Sequence, residues 1–271
     1  MKRSDTLSVA AKTTQSQKPK ITIRNLSVTY HDRPNNREVT AVEDINLQID
    51  ENDFLVTIGP SGCGKSSLLG TVAGTVKPTR GEVRIDRKDI GRPCSVAMMF
   101  QDPLLLPWRT VAKNIEFALE PKKIPKEERE ARIDRYLKMA HLEEFRNSYP
   151  RQLSGGMKQR VALCRALAVE PEILLMDEPF GALDEQTRLL LADELAKIWR
   201  DVKRTVIFVT HSLSEAIYLG ENIAVMTKRP GRIKEILRVD IPRPRDFDSP
   251  HFNKIQQQLW EKLKAEAPGS F

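Results

Sequence analysis

With 271 residues, 40% of them hydrophobic and 30% charged, the chain can bury a sizeable core and reads as an ordinary globular protein of one large domain or two modest ones. No apolar run approaches the roughly 18 residues that a membrane span requires. The three cysteines, Cys63, Cys94 and Cys164, are odd in number and form no C-x-x-C pair, which excludes a disulfide framework or a zinc site as the organising principle and fits a reducing compartment. The net charge of +7 does not describe a nucleic-acid surface. Residues 1–20 carry five Lys/Arg against one Asp and residues 228–246 carry seven against three acids, so the remainder is close to neutral. Both basic segments are expected to be solvated.

Residues 1–20 are basic and Ser/Thr-rich without a continuous apolar stretch, and are expected to be a disordered tail rather than a secretory signal. "ITIRNLSVTY" (21–30) and "AVEDINLQI" (41–49) alternate apolar and polar residues, as half-exposed antiparallel strands do. "FLVTI" (54–58) is apolar throughout, as a strand buried on both faces would be, and the helical "SSLLGTVAG" (66–74) comes after it. "VAMMF" (96–100) is a second such strand, and from Trp108 to about Ala168 the pattern is helical. "ILLM" (173–176), the helix "TRLLLADELAKIWRDV" (187–202) and "TVIFV" (205–209) predict a right-handed strand–helix–strand crossover. "SPHFNKIQQQLWEKLKAE" (249–266) predicts one amphipathic helix.

Each buried strand gives way to polar residues at its carboxyl end. After "FLVTI" comes "GPSGCGKSS", which fits G-x-x-x-x-G-K-[ST] from Gly59 to Ser66. Such a loop wraps phosphates with its backbone; Lys65 reaches their charge and the Ser66 hydroxyl suits Mg²⁺. Pro60, Ser61, Gly62, Cys63, Gly64 and Ser67 complete the candidate cradle. After the other three strands come Gln101, the pair Asp177 and Glu178, and Thr210 with His211. Ligands in open α/β sheets bind beyond the carboxyl ends of the strands, so these four sets are expected to converge. There one of the carboxylates Asp177 and Glu178 suits the metal, directly or through water, and the other an attacking water, while His211 suits a γ-phosphate and Gln101 the metal or the water. Cys63, beside Lys65 and a helix start, is expected to be a reactive thiolate. "LSGGMKQR" (153–160) places Ser154, Gly155 and Gly156 at the mouth of another helix, a second phosphate-type site in one chain.

Taken together, residues 21–246 resemble the ATP-binding subunits of ABC transporters. The markers occur in that family's order: Tyr30 where adenine would stack, the P-loop, Gln101, the signature "LSGGMKQR", "ILLMDE", the D-loop "GALD" ending in Asp184, and His211. Gly181 stands where the family commonly has Ser. The resemblance implies an α/β fold: a P-loop NTPase core with a mostly parallel sheet, an N-terminal antiparallel β subdomain and a helical subdomain inserted at about 106–168. Residues 247–271 would lie outside that domain. It implies ATP and Mg²⁺ as cofactors, and head-to-tail pairing with a second ATP-binding subunit, here expected to be another copy. In such a pair each signature helix caps the γ-phosphate held by the neighbour's P-loop. It also implies an integral-membrane permease docking near Gln101 to Trp108, a location on the cytoplasmic face of the membrane, an extracytoplasmic solute-binding protein as an indirect partner, and no nucleic-acid partner. "DPLLLPWRTV" suits either a docking surface or packing within the helical part. "QDPLLLPWRTVAKNIEFAL" and "KRPGRIKEILRVDIPRPRD" look like the branch importing nitrate, aliphatic sulfonates and taurine. The alternatives are another cargo, or a non-transport ABC ATPase of DNA repair or chromosome organisation. Against the latter, the interval from Gln101 to Ser154 has no sustained heptads and no cysteine cluster. A small-molecule P-loop kinase would have no use for the signature or the D-loop.

Overall fold

The computed structural model describes residues 19–32, 36–86, 96–122 and 124–266. Its first half contains β1 (Pro19–Asp32), β2 (Arg37–Asp50), β3 (Phe54–Ile58), α1 (Lys65–Ala73), β4 (Arg80–Ile85), β5 (Val96–Met99), α2 (Val111–Leu119) and α3 (Lys126–Met139). The second half contains α4 (Gly155–Ala168), β6 (Ile173–Asp177), α5 (Glu185–Val202), β7 (Thr205–Val209), α6 (Leu213–Leu219), β8 (Asn222–Met226), β9 (Ile233–Arg238) and α7 (Pro250–Lys264). Strands β2, β1 and β4 form an antiparallel sheet, and β5-β6-β7-β3-β8-β9 a six-stranded sheet that is parallel except for β9. The α/β class and the mostly parallel sheet agree with the sequence.

The central strands explain why there are two cores. Successive side chains of a strand point to opposite faces. Phe54, Val56, Ile58, Leu174, Met176, Val206 and Phe208 therefore pack on the helical side, with residues of α2 to α7. Leu55, Ile173, Leu175, Ile207 and Val209 face the other way, onto α1 and the antiparallel sheet. Every residue of β3, β6 and β7 is buried. In β2 burial alternates instead, with Ile45, Leu47 and Ile49 inside and Asn46, Gln48 and Asp50 outside. At roughly 1.5–3 kcal/mol for each large apolar side chain buried, the central strands hold the two layers in register.

Three strands, β4, β8 and β9, were not anticipated. "NIAVM" of β8 is as apolar as its neighbours and pairs in parallel with β3, whereas β9 is an edge strand of alternating character. The basic segment 228–246 also departs from a solvated face. Arg245 is 5% exposed, and its Nη1 donates to the carbonyls of Ile217 and Gly220, both at 2.6 Å. Arg243 donates to the Tyr218 and Leu219 carbonyls. Both guanidiniums thus serve carbonyls at the C-terminal end of α6 that the helix leaves without partners. Burial, with repulsion from Arg243, pulls Arg245 down to about 10.

At the N-terminus, Pro19 and Lys20 belong to β1, and Lys20 is buried with its Nζ 2.5 Å from Glu172 Oε2. The expected tail otherwise lies outside the described residues, as does Cys94. The helix α7 buries Phe252, Leu259 and Leu263, and Phe247 ahead of it stacks on Tyr218 of α6 at 4.5 Å.

Candidate active site

The loop after β3 is shaped by two glycines. Gly62 and Gly64 have φ of 72° and 102°, the left-handed region that costs other residues strain. A Cβ on Gly64 would lie 2.5 Å from Val42 Cγ1 and 2.6 Å from the Ala41 carbonyl, so only glycine fits. The loop opens α1 without a side-chain cap, because the N-cap is Gly64 itself. Its first N–H groups are left for an anion. Lys65 is buried and its Nζ donates to the Gly59 and Pro60 carbonyls at 2.9 and 3.1 Å.

A cleft of about 610 Å³ stands over this loop. Ser61, Gly62, Gly64, Lys65, Ser66 and Ser67 form its floor; Gln101, Glu178 and His211 form one wall. Tyr30, half exposed, stands at the other wall and donates from its hydroxyl to Ser67 Oγ at 3.1 Å. The four strand ends converge as expected. Glu178 Oε2 lies 3.5 Å from Gln101 Nε2 and 3.3 Å from His211 Nδ1. Glu178 has φ 46°, a strained value for a non-glycine residue. Beneath it Asp177 is 5% exposed and accepts a hydrogen bond from Ser66. Burial pushes the Asp177 carboxyl up and the Glu178 charge adds to this, while Ser66 and Lys65 oppose it. A carboxylate, a hydroxyl and an amide are hard oxygen donors of the kind that Mg²⁺ takes alongside phosphate oxygens. No cluster of three or more His, Cys, Asp or Glu able to hold a metal by itself occurs among the described residues.

Three lining residues were missed in the sequence. Val39 and Ala41 come from β2, and Arg229 from the loop after β8. That loop is anchored by Gly231, whose N–H donates to the Ala41 carbonyl and whose carbonyl accepts the Glu43 N–H, both at 2.9 Å. A Cβ on Gly231 would come within 2.0 Å of the Cys63 carbonyl. Arg229 has neither an ion pair nor a hydrogen-bond partner among the described residues. The only sequence trace of it was the basic run "KRPGR".

Cys63 contradicts its expected reactivity. Its side chain is fully buried in the core shared with β1, β2 and α1, and burial pushes the thiol up despite the nearby Lys65. Its place in the cradle is confined to backbone. Gly59 and Pro60 likewise shape the loop without lining the cleft.

The second helix mouth is not brought to the cleft. Ser154, Gly155 and Gly156 begin α4, with Ser154 Oγ accepting the Met157 N–H at 3.2 Å. A Cβ on Gly155 would meet nothing within 4 Å, so its backbone faces open space. Asp184 caps α5 by accepting the Thr187 N–H at 2.9 Å, which holds its carboxyl below the usual range. None of the four lines the cleft. Gly181 has room for a side chain, the nearest atom to its Cβ position being the Glu178 carbonyl at 3.5 Å, so its departure from Ser is not forced by space.

A family model described as ABC transporter matches residues 42–181, more than half of the chain. The chain belongs to the ABC transporter family. This ABC ATPase is 50% identical over 250 residues to an uncharacterized ABC transporter ATP-binding protein of Methanocaldococcus jannaschii, covering 92% of this chain and 93% of that one. It is 43% identical over 229 residues to the aliphatic sulfonates import ATP-binding protein SsuB of Bacillus subtilis, covering 84% and 89%. Among solved structures it is similar to the dimeric post-hydrolysis state of the ATP-binding cassette MJ0796 bound to ADP and Pi, with a TM-score of 0.73 and 34% identity over 82% of this chain and 100% of that one. The chain accordingly binds and hydrolyses ATP. No helix among the described residues is long and apolar enough to cross a membrane.

Proposed function

We propose that this ABC ATPase pairs with a second copy of itself around ATP and powers a separate membrane permease that imports a small anionic solute of the nitrate, aliphatic sulfonate or taurine type. The observation that carries the pairing is the incompleteness of one chain: Ser154, Gly155 and Gly156 offer a helix mouth, open at Gly155, that does not line their own cleft. The neighbour's triphosphate fills it, and Asp184 approaches the same junction. ATP's greater affinity for the closed pair then drives a conformational cycle.

Within the cleft Tyr30 stacks on adenine and residues 59–67 hold the phosphates. Ser66, Asp177 and Gln101 hold Mg²⁺, which neutralises phosphate charge when bound. Glu178 polarises the attacking water, with Gln101 and His211 beside its outer oxygen, and His211 contacts the γ-phosphate.

For the permease, exposure favours docking over internal packing. Leu104 is 53% and Trp108 71% exposed, while Leu105 packs inward. The Arg165 guanidinium donates to the Pro103 and Leu104 carbonyls, both at 2.8 Å, and so holds this loop on α4. An exposed apolar patch on an anchored loop suits a permease helix. The ATPase then lies peripherally on the cytoplasmic face, and an extracytoplasmic solute-binding protein delivers the cargo. The name of the SsuB relative supports the anionic solute class.

The test is reconstitution in vesicles with the permease encoded near it, its binding protein, and labelled taurine, an alkanesulfonate or nitrate. One of these anions should accumulate with ATP, and Trp108→Ala should abolish uptake while the isolated chain still hydrolyses ATP. Uptake of none of the three, with ATP hydrolysis indifferent to the permease, would refute the assignment.

A further inference from the structure

Arg188, in the first turn of α5, touches the D-loop on one side and α6 on the other. Its Nη2 donates to the Leu183 carbonyl of the D-loop at 3.2 Å, and its Nη1 lies 3.2 Å from Glu185 Oε2. Its Nε points toward α6, 3.6 Å from Glu215 Oε1. Glu215 is 7% exposed, and its other oxygen accepts the Thr210 hydroxyl proton at 2.5 Å. The same hydroxyl oxygen accepts the Ser212 N–H at 3.0 Å, and Ser212 Oγ accepts the Glu215 N–H at 3.3 Å. Both neighbours of His211 in the chain are therefore held by hydrogen bonds that end on Glu215. At the opposite end Leu183 lies against the signature helix, where a Cβ on Gly156 would stand 3.2 Å from Leu183 Cδ2.

A buried carboxylate needs a partner, and Arg188 is the cation in ion-pair reach of Glu215 among the described residues. Burial pushes the Glu215 carboxyl up, opposed first by Thr210 and then by Arg188 and His211, with Glu185 adding to the rise. The contact is one hydrogen bond short of complete, since Arg188 Nε is buried without an acceptor. A shift of the start of α5 toward α6 by a few tenths of an ångström would close that gap and gain a charge-assisted bond. His211 itself has a side chain 59% exposed, held by this turn and by its 3.3 Å contact with Glu178 Oε2.

We propose that Arg188 and Glu215 are a positioning pair for His211, transmitting the position of the D-loop, and through Leu183 that of the signature glycines, to the Thr210–Ser212 turn. The proposal rests on the role assigned above to His211. It gives each chain an internal link between its own cleft and the helix mouth that it offers to its neighbour.

The experiment measures ATP affinity, single-turnover hydrolysis and thermal unfolding in the full chain carrying Arg188→Met, Arg188→Lys, Glu215→Gln, His211→Ala, or Arg188→Met with His211→Ala. Arg188→Met and Glu215→Gln should each slow hydrolysis by about tenfold while ATP affinity stays within about twofold. Arg188→Lys, which keeps the charge, should recover most of the rate. On the His211→Ala background Arg188→Met should add nothing, because the pair acts through His211; a purely structural role would multiply the two losses. A native rate in Arg188→Met, multiplied losses, or a Lys variant no better than Met overturns the proposal. If Arg188→Met fails to fold, Glu215→Gln and Arg188→Lys decide by the same criteria. A native rate in His211→Ala instead removes the assignment of His211, and the pair's role with it; a slow His211→Ala beside a native Arg188→Met removes the pair alone.

Discussion

Two helix mouths in this molecule look alike in sequence and differ in structure. At α1 the cap is Gly64, no side chain competes for the first N–H groups, and Lys65, Ser66 and the buried Asp177 stand around them. At α4 Ser154 caps the helix with its own hydroxyl, and Gly155 faces open space. Neither helix has an acid in its first turn. The first mouth has donors, the Lys65 cation and a hydroxyl–carboxylate pair, Ser66 and Asp177, from one chain, whereas the second has donors and room only. A dipole and glycines make a place for phosphate, but a cation and a loop that wraps make a site that keeps it.

The largest effect should come from breaking the self-sufficient mouth at its chemical end. Glu178→Gln should lower turnover by about 10²–10³-fold, within the range for losing a positioned base, while leaving ATP binding intact. ATP should then trap a stable dimer, visible by gel filtration. Hydrolysis at the native rate would remove Glu178 as the group that polarises water.

The next largest effect tests whether the second mouth serves the neighbour. Lys65→Ala and Ser154→Arg placed in one chain of a tagged heterodimer should damage both composite sites. On separate chains they should damage one and spare the other. On a Glu178→Gln background the closed state should retain one nucleotide when the changes are on separate chains and none when they share a chain. The reverse pattern would mean that each chain caps its own phosphate.

A smaller effect sharpens the description of the first mouth. Arg229→Gln removes an unpartnered cation from the cleft wall and should weaken ATP binding by about three- to tenfold, with little change in kcat. Titration calorimetry checks it, and unchanged affinity would make Arg229 a bystander. Smallest of all should be the response of the thiols. Burial pushes Cys63 up and Cys164 to about 12, so alkylation of the folded chain near neutral pH should spare both and leave ATPase activity intact. Rapid loss of activity that MgATP prevents would show that the P-loop opens far more than this structure implies.

The legible parts of the site are those in which chemistry and position lie on one short segment. "GPSGCGKSS" between an apolar strand and a helix, and the polar residues at the carboxyl ends of β5, β6 and β7, could be placed because an apolar strand of a central sheet must discharge its polar residues at its end. Strand β5, expected to be buried on both faces, is nevertheless only half-buried at Val96, Ala97 and Met98. Cys63 was misjudged because a thiol's reactivity depends on whether its side chain points at water or at a core; motif spacing does not carry that information. The basic run 228–246 was misjudged for a related reason. Charge composition is blind to Arg243 and Arg245 folding back onto carbonyls of α6, and to Gly231 locking a loop that puts Arg229 on the cleft wall.

Local patterns along the chain are enough for the α/β class, the phosphate loop, the order of polar strand ends and the existence of two helix mouths. Each comes from local periodicity, from glycine's access to positive φ, or from the unpaired N–H groups of a helix start. The tertiary structure alone decided which of these meet. It brought Gln101 and His211 each within 3.5 Å of Glu178 and kept Ser154 and Asp184 out of their cleft. It also set Arg188 between the D-loop and the turn of His211. The physical reason is that convergence depends on strand order and on which face each side chain takes in the packed sheet, and both are set by burying two apolar cores at once.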